Sequence, residues 1–168
     1  SRRMYYIPEA DSYSIPYIYV DGINGFHPVE VNDDAGYLQD DFDRYAAEIS
    51  SIQLSVTHQI EGQGVEIQVS LLPLQDNSSE SLKLQVAIIE KTTELNVGTN
   101  GQTEFHHVMK KMVPDHLGTA LAPLVRGEQV DFNLSYAFQG EYDENTGISD
   151  MVDHETAHTV EDFSDLAV

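Results

Sequence analysis

The stretch SIQLSVTHQIEGQGVEIQVSLLP, residues 51–73, changes the hydrophobic period of the chain from helical to twofold. Ile52, Leu54 and Val56 alternate with Gln53, Ser55 and Thr57, and Val65, Ile67, Val69 and Leu71 alternate with Glu66, Gln68 and Ser70. Strict alternation places every second side chain on one face of a pleated strand, and Glu61-Gly-Gln-Gly64 between the two runs supplies turn chemistry. The reading is a hairpin with one apolar and one wet face. Downstream, Leu82, Leu84, Val86 and Ile88 repeat the pattern, as do Val130, Phe132, Leu134, Tyr136 and Phe138. The runs NVGTNG (96–101) and DENTGISD (143–150) separate them with turn residues. Several short strands with no helical pattern among them predict an antiparallel β-sandwich over residues 51–168.

Upstream the character differs. SIPYIYVDG (14–22) is a Pro, an aromatic and β-branched run at Tyr17, Ile18, Tyr19 and Val20, then an Asp-Gly turn pair, which predicts a strand leaving a bend. A second extended piece follows around 26–31, and Asp33 and Asp34 offer an N-cap to AGYLQDDFDRYAAEISS. Leu38, Phe42, Tyr45, Ala46 and Ile49 fall at helical spacing, which predicts a surface helix over 36–50 covering a sheet. The class is therefore α+β, with a domain boundary at Ser50–Ser51 and no flexible linker across it.

Composition narrows the partners. The 168 residues carry 29 Asp and Glu against 8 Lys and Arg, a formal net charge of −21, which repels phosphate backbones and anionic lipid surfaces. A nucleic-acid partner is not expected. The absence of cysteine rules out a disulfide or a thiolate nucleophile within these residues. No apolar run approaches the roughly 20 residues needed to cross a bilayer as a helix, and SRRMYYIPEA at the start lacks the apolar stretch of a signal peptide. The closing FSDLAV (163–168) reads as an apolar run that stops where a strand should begin, so the chain is expected to be a piece of a longer polypeptide.

FHHVMKKMVPDHLGTAL, Phe105 to Leu121, resembles the hallmark segment of the outer membrane protein 28-related family. These are cell-surface proteins of Gram-negative bacteria that use lipid anchors or a type IX secretion signal. The motif runs aromatic, His, hydrophobic, basic, Met-Leu-Pro, then Gly, and Phe105, His107, Val108, Lys110, Lys111, Met112, Val113, Pro114 and Gly118 meet it here. VAIIEK, Val86 to Lys91, is similar to the family strand that ends in a Glu ahead of the motif. The N-terminal piece is similar to the closing half of a thioredoxin fold, with Pro16 where that fold places its cis-proline.

The resemblance implies the C-terminal half of a thioredoxin-like domain over 1–50, followed by an immunoglobulin-like sandwich over 51–168 that lacks its final strand. It implies a non-enzymatic accessory protein, extracellular or associated with the outer membrane, binding a protein partner or a larger assembly. No catalytic set carries over. A segment from elsewhere is expected to fill the sheet edge beside Val168, since an open edge invites strand pairing. The alternative is a thiol-disulfide oxidoreductase whose Cys pair lies upstream.

Two motifs suggest metal chemistry. His154-Glu155-x-x-His158 matches the pattern in which two His on one helix face hold zinc while the Glu polarises water. It needs a helix and a third ligand, for which Glu161, Asp162 and Asp165 are the oxygen candidates, and it would make the chain a zinc metallopeptidase. Asp143, Asn145, Ser149 and Asp150 present a hard oxygen set suited to calcium, although His154 stands where a calcium loop closes with Glu. Calcium ranks above zinc, and the plain expectation is that neither metal nor cofactor is used. Finally, His106, His107, Lys110 and Lys111 form the one local concentration of positive charge, expected on a sandwich strand or steering an acidic partner, with Val108 or Met109 and Met112 packing inward.

Overall fold

In the first of two units, Ser1–Ser50, strands β1 (Ile18–Val20) and β2 (Asn24–Phe26) pair antiparallel with Tyr19 opposite Gly25. A computed structural model of the chain describes residues 18–20, 24–26, 36–79, 81–95, 101–143 and 155–168. Pro16, the expected N-caps Asp33 and Asp34, and most of the DENTGISD loop lie outside these residues.

Helix α1 spans Gln39–Ala46, shorter than the predicted 36–50. It begins at Leu38, whose N–H donates to the Asp41 carboxylate at 3.2 Å, and Asp40 and Asp41 sit favourably at the positive end of the helix dipole. Arg44 bonds back to Asp41 at 2.8 Å. Past Ala46 the β-branched Ile49 and the serines hold a helix weakly, and the run ends. The expectation that this helix buries its apolar stripe is corrected: none of its residues is buried, and Leu38, Phe42 and Ile49 are exposed.

The second unit, Ser51–Val168, is built mostly of antiparallel sheet. Strands β3 (Ile52–Glu61) and β4 (Gly64–Pro73) form the predicted hairpin, paired without interruption from Ile52↔Pro73 to Glu61↔Gly64. Gly62 adopts a positive φ of 57°, which a two-residue hairpin turn of primed type requires at its first central position. After β5 (Lys83–Leu84) come β6 (Val86–Thr93), β7 (Phe105–Val113), β8 (Thr119–Ala120), β9 (Val130–Ala137), β10 (Glu141–Tyr142), β11 (Ala157–His158) and β12 (Leu166–Ala167). The strand expected to start after FSDLAV begins inside it, with Leu166 and Ala167 opposite Glu90 and Ile89.

Two three-stranded sheets carry the core, in orders β3-β4-β9 and β12-β6-β7. Val65, Ile67, Val69 and Leu71 from β4 join Val86 and Ile88 from β6, Val113 from β7, and Val160 and Leu166 near the C-terminus in one apolar cluster. Phe132, Leu134 and Tyr136 of β9 pack against it. Among the described residues the fold is mostly antiparallel β-sheet with one α-helix, an arrangement consistent with a β-sandwich. Among the described residues no helix is long and apolar enough to cross a membrane.

Candidate functional site

The buried polar centre of the second unit begins with an irregularity in β7. Ile88 faces Lys111 while the next residue, Ile89, faces Met109, so Lys110 is the extra residue of a bulge. A bulge re-aims the side chain it frees. Lys110 turns inward, its side chain only 6% exposed, and its Nζ reaches the Glu90 carboxylate at 2.9 Å and the Thr159 carbonyl at 2.5 Å. Glu90 is wholly buried and also accepts the N–H groups of Glu161 (3.0 and 3.2 Å) and Asp162 (2.6 Å). A buried carboxylate is tolerated only when paired and hydrogen-bonded, and Glu90 is both.

The neighbouring acids serve the same end. Glu161 accepts the N–H groups of Glu94 and Leu95 at 2.7 and 3.1 Å, and Asp165 accepts that of Thr92 at 2.8 Å. Asp162 caps the 3-10 turn Phe163–Asp165; the Ser164 hydroxyl first, and its backbone N–H second, hold the Asp162 carboxyl below its ordinary pKa. Because the folded value is the lower one, this contribution is complete above the ordinary carboxylate pKa and is lost as pH falls through the depressed value. The three acids considered as a third zinc ligand are thus occupied with backbone donors.

The histidine half of that motif takes a different shape from a helix. Glu155–Thr156 is a turn, Ala157–His158 is β11, and β11 runs parallel to β10 with His158 opposite Tyr142. His158 is buried, with the rings of Phe138, Tyr142 and Phe163 edge-on at centroid distances of 6.2, 6.4 and 5.1 Å. Its Nε2 lies 3.4 Å from Gln63 Nε2, and its Nδ1 has no hydrogen-bond partner. His154 lies outside the described residues. The calcium candidates Asn145, Ser149 and Asp150 do too, while Asp143 donates its N–H to the His158 carbonyl at 2.9 Å. Among the described residues no three His, Asp or Glu side chains gather as a metal-holding group.

The expected basic patch is split. Lys110 is buried, and Lys111 lies on the inner face with Nζ 4.9 Å from the Tyr136 ring centroid. His106 is exposed and 2.8 Å from Glu104, and exposed His107 has a positive φ of 54°. Val108 pairs with Glu90 and is half-buried, whereas Met109 is exposed, so of the two inward candidates Val108 is the one on the inner face. Met112 pairs with Ala87 on the opposite face from Val113. Phe105 starts β7; the Val113–Pro114 bond is cis; and an added Cβ on Gly118 would stand 2.7 Å from the Leu84 carbonyl, so that glycine permits close packing on β5.

Two surfaces are open. The outer face of β3-β4-β9 is concave, with a hollow of about 350 Å³ lined by Thr57, Gln59, Glu66, Gln68, Asn133 and Ser135 among others. It offers hydrogen-bonding groups but no nucleophile set against a base. The other is the free side of β3. Because the two-residue turn is closed by the Glu61–Gly64 pair, odd-numbered residues of β3 bond to β4, as the Leu74 N–H to Ser51 carbonyl bond of 2.8 Å continues. Leu54, Val56 and His58 therefore direct their N–H and C=O groups away from β4, and no described strand pairs with them there. Leu54 and Val56 share the inner face with Leu71 and Val69, yet they are 60% and 45% exposed where their partners are 2% and 4%. Ile52 and Ile60 near the ends of β3 pack against the core, and the middle of the strand is left uncovered.

Comparison with protein-family models, with curated proteins and with solved structures returns no match.

Sequence reading singled out Lys110, His158 and the strand ending in Glu90. It missed Gln63, and it missed that Glu161 and Asp162 meet Glu90 through their backbone N–H groups. Backbone donors leave no mark in residue type, so no pattern was there to find.

Proposed function

We propose that this chain is a non-catalytic protein-binding module, an immunoglobulin-like sandwich preceded by the closing half of a thioredoxin-like region, within a cell-surface or secreted bacterial protein. Its role is assembly at or beyond the outer membrane, a location that rests on the likeness of Phe105–Leu121 to the outer membrane protein 28-related segment. The observation that carries the binding role is β3: a ten-residue edge strand with outward backbone groups and exposed Leu54 and Val56. Such an edge is a template for an incoming strand. The polar groups that do converge, Glu90, Lys110 and Asp162, are engaged in holding the C-terminal segment to β6 and β7.

A lysine-flanked synthetic peptide of alternating Val and Thr tests this reading by amide hydrogen exchange. Exchange at Leu54, Val56 and His58 is expected to slow about tenfold on titration, corresponding to about 1.4 kcal/mol of protection, while odd-numbered amides already bonded to β4 change little. Unchanged exchange at all three positions overturns the edge as a binding surface.

A further inference from the structure

Natural sheets protect their edges with charge, bulges or brevity, because an unprotected edge pairs with whatever strand it meets. Among the described strands, the other edges of the two three-stranded sheets follow this practice. Strand β7 carries Lys110 and Lys111 and the register shift; β12 is two residues long; β9 carries Asp131. Strand β3 is regular along its whole length, and from Ile52 to Ile60 it contains no Asp, Glu, Lys, Arg or Pro, in a chain of net charge −21.

The order of residues along β3 adds a second property. Read outward from Val56, the strand mirrors itself: Ser55 matches Thr57, Leu54 stands against His58, Gln53 matches Gln59, and Ile52 matches Ile60. An antiparallel partner of the same sequence, centred on Val56, therefore meets amide with amide and hydroxyl with hydroxyl on the outer face. On the inner face Val56 meets Val56 and Leu54 meets the His58 ring. Matched cross-strand pairs of this kind stabilise sheets, and like charges facing each other would oppose them; here there are none. The backbone agrees with this register, since Leu54, Val56 and His58 all point their N–H and C=O groups to the free side, so that Val56 forms a hydrogen-bonded pair on the twofold axis and Leu54 and His58 form one on either side of it.

We propose that the partner of β3 is a second copy of this chain, paired antiparallel through β3 about Val56, so that two three-stranded sheets become one continuous six-stranded sheet with twofold symmetry. The proposal rests on the edge reading above and names its occupant. Strands meeting edge to edge over Gln53–Gln59 bury less than the roughly 1,200 Å² of a standard interface, so the dimer dissociates on dilution. Two chains of −21 repel at long range, so added salt strengthens the association by screening.

The chain has no cysteine, which makes single-cysteine variants direct reporters of register. In a hydrogen-bonded antiparallel pair the Cα atoms lie about 5.5 Å apart, wider at Cβ than a direct disulfide favours and within the span of a short bis-maleimide. Val56→Cys, treated with a short bis-maleimide to which each thiol adds once, is expected to form a covalent dimer on the order of tenfold faster than Leu54→Cys alone, because only position 56 meets its own copy. Mixing Leu54→Cys with His58→Cys is expected to give the mixed dimer. Sedimentation of the unmodified chain is expected to show a dimer fraction rising with concentration and with salt.

Equal cross-linking at positions 54 and 56, or a chain monomeric at every concentration with no Val56→Cys dimer, overturns the proposal. If the Val/Thr peptide still protects Leu54, Val56 and His58 in that monomer, the edge reading stands and only the second copy is lost. If the peptide does not protect them either, both fall.

Discussion

Replacing Lys110 by Met is expected to destabilise the second unit by about 3–5 kcal/mol, the cost of stranding one partner of a buried ion pair. Met keeps the length and apolar stem of the lysine but removes the charge facing Glu90 and the donor to the Thr159 carbonyl. Glu90 would be left wholly buried with only the Glu161 and Asp162 N–H groups as donors. Against a total stability of about 5–15 kcal/mol for a natural domain, that loss is large. Denaturant unfolding followed by circular dichroism measures it. The double variant Glu90→Gln/Lys110→Met is expected to lose less than the sum of the single losses, because the two side chains act on each other directly. Additive losses, or a single loss below about 1 kcal/mol, the range of an exposed ion pair, would show that the pair does not hold the C-terminal segment to β6 and β7.

Gly140→Ala is the second large effect. Gly140 has a φ of 72°, and a Cβ built there would overlap the carbonyl oxygen and carbon of Thr156. Those atoms are backbone, so relief requires moving the start of β11 off β10, whose pairing begins at Glu141↔Ala157. Left-handed backbone costs a residue with a Cβ about 1–2 kcal/mol, and overpacking typically adds about 1–3 kcal/mol. The loss is expected to be local first: exchange at Asp143, whose N–H is bound by the His158 carbonyl, should accelerate before the β4 amides do. A variant with unaltered exchange at Asp143 would contradict the close approach.

Much of the sheet is legible in alternation, because a strand with one buried face must place apolar side chains at every second position. Residues 52–60, 65–71, 86–88 and 130–136 carry that pattern, and they are strands. β7 is harder to read, since HHVMKKM does not alternate. The reason is the extra residue at Lys110, which shifts the parity of everything before it. The apolar stripe at Leu38, Phe42 and Ile49 has the right spacing for a buried helix face, but the helix covers only Gln39–Ala46 and all three side chains are exposed. Periodicity shows which side chains can share a face, and burial depends on what lies opposite.

The same distinction separates the two halves of the site. Glu155 to His158 carries the residue types of a zinc motif, but the chain there is turn and strand, which points successive side chains to opposite sides where a helix would converge them. Local residue order determined that the region after Ser51 is antiparallel sheet, where its hairpin turns, and that β3 is free of charge and mirror-symmetric about Val56. Tertiary structure alone decided that Lys110 turns inward to Glu90, that the backbone of Glu161 and Asp162 completes its shell, and that Leu54 and Val56 remain uncovered. Alternation and turn chemistry act between neighbours in sequence, whereas the Glu90–Lys110 ion pair joins two strands, and the backbone N–H of Asp162 reaches Glu90 from about seventy residues away, only once the chain has folded.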